Sequence, residues 1–217
     1  GFYSLLNNTT GCNNTAIGKW AMLCNTTGIL NTAMGCKGLY CNTIGSYNIG
    51  IGESSLYNSI SGDQNVALGR EALYNNKGAC YNVAIGNEAL RKTGCVPGIL
   101  GCYNVGVGYQ AAQSNTTGYQ NVAVGRLALG ANTTGAINTA VGDAALCANT
   151  TGYDNNAIGC SALHFNTEGN NNTGIGQTAL KANTTGVDNV AIGSNALLSN
   201  TTGNYNAAIG AYTLAAN

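Results

Sequence analysis

The sequence predicts an all-β fold: a parallel β-solenoid or β-roll of about thirteen 17-residue coils, with one loop insertion near residues 93–100. Three observations predict it. A glycine ends each "AIG"-like triplet, at Gly18, Gly35, Gly52, Gly69, Gly86, Gly108, Gly125, Gly142, Gly159, Gly176, Gly193 and Gly210, and every gap is 17 residues except the 22 between Gly86 and Gly108. Asparagine stands four positions before each of these glycines without exception: Asn14, Asn31, Asn48, Asn65, Asn82, Asn104, Asn121, Asn138, Asn155, Asn172, Asn189 and Asn206. The unit is also too short for a helical repeat, which needs about 33 to 47 residues to hold two helices and their turns.

Each part of the unit has its own reason. The "NTTG" segment is a turn, because Asn, Thr and Gly favour bends and disfavour helix interiors. The Asn-x-Ala-Ile-Gly segment alternates, so Val/Thr and Ile point one way while Asn, Ala and Gly point the other. On this pattern Ile17, Met34, Ile51 and their successors are expected as an aliphatic column inside the rod. Met22, Leu39, Leu56 and the later leucines join them from the "AL" pair. The recurring glycine makes the second bend, where a positive φ carries no steric cost. Stacked asparagine amides are expected to hydrogen-bond along the rod, as amide ladders do in cross-β assemblies. The column of small residues (Ala16, Ala33, Gly50, Ala67, Ala84, Gly106, Ala123) signals close approach by another surface, either the far side of the same roll or a second chain. The five-residue excess around "RKTGCVPGILGC", with the only proline, Pro97, reads as a loop extruded from one coil.

The chain reads as a single repeat domain over 1–217. Gly1 falls in register with the recurring glycine and Asn217 at the turn asparagine, which suggests a slice of a longer array. Composition narrows the function. Only 7% of residues are charged, eight basic against eight acidic, where an ordinary chain has about a quarter. No basic run offers the footprint of a nucleic-acid binder. No apolar stretch reaches the roughly 18 residues of a membrane span, and no signal peptide is visible.

The motifs "NVAIG", "NTAVG" and "NNAIG" resemble the strand motif in the heads of trimeric autotransporter adhesins, which are parallel β-rolls. The whole unit, "NTTGxxNxAxGxxAL", more closely resembles tandem repeats of phage-like and bacterial tail-fibre proteins. The resemblance implies a homotrimeric fibre, extracellular, on a cell surface or virion, contacting a cell-surface glycan or receptor; the registers of Gly1 and Asn217 separately suggest copies stacked end to end in a filament.

The remaining candidates follow from register. Cys24 and Cys41 share a position in adjacent coils, as do Cys80 and Cys102, and coil spacing suits a disulfide. These are candidate staples, with Cys95 a competitor for the second and small buried thiols the alternative. With no C-x-x-C pair and one histidine, no metal site or cofactor is expected. His164 is solitary and the acids are scattered, so no catalytic constellation forms and the chain reads as a non-enzyme. Glu53 and Arg70 share a register and are expected to pair weakly. Asp154, Asn171 and Asp188 share another, which reads as solvated polar surface, with calcium binding as the lesser alternative. Asn8, Asn25, Asn115, Asn132, Asn149, Asn183 and Asn200 open Asn-Thr-Thr sequons, and Asn7, Asn13 and Asn171 also satisfy the acceptor rule. Tyr40, Tyr57 and Tyr74 form one ladder, Tyr81 and Tyr103 another, suited to packing on each other or stacking on sugars. A rival function is ice binding, through threonine ranks such as Thr116, Thr133 and Thr150.

Overall fold

The computed structural model describes residues 1–94 and 101–216. It is a β-solenoid of about eleven turns, whose twelve three-residue strands, each one turn on from the last, form a single parallel sheet. The strands are β1 Thr15–Ile17, β2 Thr32–Met34, β3 Ile49–Ile51, β4 Val66–Leu68, β5 Val83–Ile85, β6 Val105–Val107, β7 Val122–Val124, β8 Thr139–Val141, β9 Asn156–Ile158, β10 Thr173–Ile175, β11 Val190–Ile192 and β12 Ala207–Ile209. Spatial order follows sequence order throughout. Val124 pairs with Val141 and Val141 with Ile158, so equivalent letters form continuous rows. Val83 pairs with Val105 across the longer repeat, so the five extra residues leave the register untouched. The predicted loop itself, with Cys95 and Pro97, lies outside the described residues.

The strand faces are the reverse of the sequence expectation. Ala33, Ala67, Ala84, Ala123 and Ala140 point inward and are fully buried. Ile17 is 54% exposed, Met34 39% and Ile158 42%, so the expected internal aliphatic column of Ile17, Met34 and Ile51 faces outward. The leucine column explains why. From Met22, Leu39 and Leu56 to Leu197 this column is buried, and it already fills the slender cross-section. A Cβ built on Gly50 would stand 3.3 Å from Leu39 Cγ, and one on Gly106 3.0 Å from Leu90 Cγ. Only Ala or Gly fits opposite leucine, and the larger side chains go to the outer face. The small column therefore packs against the far side of its own roll.

Glycine serves two kinds of bend. The recurring glycine sits at a φ of 117° to 136°. At Gly142 an added Cβ would lie 2.6 Å from the Gly159 carbonyl oxygen, so the next coil also forbids a side chain. The "NTTG" glycine is held by close approach alone. At Gly152 an added Cβ would meet both the carbonyl oxygen of Gly169 and the amide of its own Asn149.

Candidate functional site

Two kinds of feature recur along the coils: internal ladders that bind coil to coil, and one outward strand face. The asparagine column is the first ladder. Asn138 Nδ2 donates to Asn121 Oδ1 (3.1 Å) and to the Gly152 carbonyl (2.8 Å), while the same Oδ1 accepts the Asn138 backbone N–H (3.0 Å). The same pattern links Asn14, Asn31, Asn48 and Asn65. It runs on through Asn82 and Asn104, and through Asn155, Asn172, Asn189 and Asn206.

Sequence reasoning missed a second amide ladder, built from the first residue of "NTT". Asn132 Nδ2 donates to Asn115 Oδ1 at 2.8 Å and to Gly135 O at 2.9 Å; Asn149 repeats this against Asn132 and Gly152. The candidate glycosylation sites are corrected by this finding. Asn25, Asn115, Asn132, Asn149 and Asn183 are fully buried, Asn200 is 3% exposed, and Asn8 is half-buried with its Nδ2 on Gly11 O. Each amide nitrogen a glycan would use is already donating, and all but that of Asn8 belong to buried residues. Only Asn7, Asn13 and Asn171 keep exposed sequon amides. The available signal was the recurrence of asparagine at that register, which needs more than a turn to explain it.

The threonine rank is also internal chemistry. Thr116, Thr133 and Thr150 each donate their hydroxyl to the carbonyl of the equivalent residue one coil on, at 2.9, 2.9 and 3.1 Å. That carbonyl collects three backbone N–H groups as well: Thr116, Thr117 and Gly118 all donate to Thr133 O. A further column caps loose backbone donors, since Ser46 Oγ accepts from Ile29 N–H and Asp63 Oδ1 from Ser46 N–H.

The cysteines join this capping role. Cys80 Sγ accepts from Asp63 N–H at 3.3 Å and Cys102 Sγ from Cys80 N–H at 3.2 Å. Cys24, Cys41, Cys80 and Cys102 all carry free thiols, so the predicted staples are not formed. In the second pair each sulfur is turned to a backbone donor, Cys80 Sγ to Asp63 N–H and Cys102 Sγ to Cys80 N–H. Burial raises the Cys24, Cys41, Cys80 and Cys147 thiols above their ordinary range.

The tyrosines stack on one another. Tyr40–Tyr57 and Tyr57–Tyr74 have ring centroids 5.0 and 5.1 Å apart and nearly parallel planes, and Tyr81–Tyr103 lie 4.9 Å apart. Arg91 caps the Tyr74 ring at 5.2 Å. Inner ring faces are thus spent within the ladder. Arg70 pairs with Glu71 (2.9 Å) and Glu88 (3.7 Å) in place of the expected Glu53. The same-register pair that does form is Arg126 with Asp143, bidentate at 2.8 and 2.9 Å. His164 Nδ1 contacts the Ala144 carbonyl at 3.1 Å and its ring meets Phe165 edge-on. Among the described residues no group of His, Cys, Asp and Glu is arranged to hold a metal ion, and no helix is long and apolar enough to cross a membrane.

Among the described residues the outward strand positions are half-buried or exposed in all twelve strands. Their two columns run from Thr15 and Ile17 to Ala207 and Ile209, and of 24 positions 19 are aliphatic, four are threonine and one is Asn156. All sixteen charged residues of the chain lie elsewhere. The neighbouring column, one residue past the bend, carries Lys19, Glu53, Arg70, Arg126 and Asp143, so a charged margin borders an apolar strip. Searches against family models, curated proteins and solved structures returned no match to this chain.

Proposed function

We infer that the chain is a structural segment of an extracellular fibre, filament or adhesin shaft, non-catalytic and self-associating. The observation that carries this reading is where the repeated letters go. Asn, Thr, Ala, Leu and Gly are all consumed in holding one coil on the next, which leaves an unbranched stack of rungs about 53 Å long. Such an object supplies length and stiffness. A receptor or cell-surface glycan would be met by the variable outer columns, since the tyrosine ladder spends its inner ring faces internally. The test is immunogold labelling of the source with antibody raised against this chain. Decoration of extracellular filaments, cell surfaces or virions is expected, and label confined to the cell interior overturns the reading. Ice binding has less support, because Thr116, Thr133 and Thr150 point their hydroxyl protons at backbone carbonyls.

A further inference from the structure

We propose that the outward strand face is closed by a second copy of this chain, lying alongside with its own strand face against the first. The proposal rests on the self-association half of the fibre reading and names the surface that performs it. An exposed strand position in water ordinarily tolerates charge. This face carries none along twelve rungs, although every other outer column between Lys19 and Asp188 has room for Lys, Arg, Asp or Glu.

Size and period select the occupant. Twelve rungs at about 4.8 Å, two side chains or about 10 Å wide, give a continuous strip of about 600 Å2. A strip this large is at the upper end of what a monomer leaves exposed. Two strips face to face bury about 1,200 Å2, within the range of specific interfaces. A partner without the coil repeat would match such a strip over a few rungs only. A second copy has the same spacing, so side chains such as Val124 and Val141 enter the gaps between rungs along the whole length, as in a dry zipper. The charged margin beside the strip then lies at the rim, where an interface keeps its polar groups.

The test uses the whole chain with Val107, Val141 and Ile175 changed together, two rungs apart, either all to Lys or all to Glu. Mass by light scattering and sedimentation is read alongside circular dichroism and thermal unfolding. The wild type is expected above monomer mass, each charged triple variant to be monomeric with association weakened about a hundredfold or more, and a mixture of the Lys and Glu variants to associate again. If either charged variant fails to fold, the Val107→Thr, Val141→Thr, Ile175→Thr variant replaces it, because threonine already occupies four positions of the face. A wild type that stays monomeric overturns the proposal and leaves the rod intact. An oligomer indifferent to all three variants moves the contact to another surface, which overturns the face and spares the fibre reading. Thermal hysteresis that the charged triples abolish in a monomeric wild type would assign the face to ice.

Discussion

Leucine is an unusual residue to find in the left-handed region, yet Leu39, Leu56, Leu73 and Leu90 all sit at a φ of 50°. Two further non-glycine columns share that conformation, at Lys37, Ser54 and Glu71, and at Asn13, Tyr47 and Gln64. Each such residue costs about 1–2 kcal/mol against glycine, and for the leucines burial offsets it. Ile137 has no such offset. It is β-branched, lies at φ 59° and is 45% exposed, while its column carries asparagine at Asn13 and Asn171. Ile137→Asn is therefore expected to stabilise the chain by about 1 kcal/mol, read as a higher midpoint in thermal or denaturant unfolding. The half-buried thiols set a pH limit. Cys24, Cys41, Cys80 and Cys147 are raised by burial, and Cys41 further by the neighbouring Cys24 charge. A folded value above the unfolded one means their contribution is intact below the ordinary thiol range and is lost as pH rises through the folded values. Stability should be flat to about pH 8 and decline above about pH 9. Cys41→Ser should make that decline shallower in unfolding curves taken across the range.

At the level of the ladder, interruptions show what continuity is worth. The second asparagine ladder is broken where Ser59 stands in the amide column, and Asn42 Oδ1 and Ser59 Oγ are left buried without partners. Ser59→Asn would place an Nδ2 against Asn42 Oδ1 and a carbonyl against Asn76 Nδ2. It is expected to stabilise by about 1–3 kcal/mol, visible as a shift of several degrees in the unfolding midpoint. The converse, Asn138→Ala, removes two donors and the acceptor for Asn155, and should cost more than about 2 kcal/mol in denaturant unfolding. These ladders also mark what was legible in the sequence. The 17-residue period, the parallel register and the first asparagine column were readable, because one chain repeats them twelve times. The direction of the strand was not. Alternation separates Ala from Ile, but either set satisfies a period of two. The choice depends on the width of the coil, which Leu39 and its successors set from positions outside the strand. The role of the turn asparagines was hidden because a turn preference and an acceptor sequon each explain Asn-Thr-Thr locally. Only the closeness of Asn115, Asn132 and Asn149 in space reveals the ladder.

For the whole rod, each strand touches only the strand before it and the strand after it. Among the described residues no strand packs on one beyond its neighbours, so stability is a sum of neighbour interfaces. A single blocked interface should then divide the molecule. Gly142 is the place to block it. Its φ is 136°, and a side chain there would run into both the carbonyl oxygen and the carbonyl carbon of Gly159, at 2.6 and 2.7 Å. Backbone on the next coil cannot swing aside as a flexible side chain would. Gly142→Val must part β8 from β9 locally, at a cost above about 3 kcal/mol. The coils on either side keep their own leucines, amide ladders and strand pairing. Two unfolding transitions are therefore expected where the parent has one, and hydrogen exchange should show lost protection around β8 and β9 with protection retained at β3 and β11. Uniform loss of protection along the rod would mean that cooperativity extends beyond nearest neighbours, and the additive picture of the stack would fail.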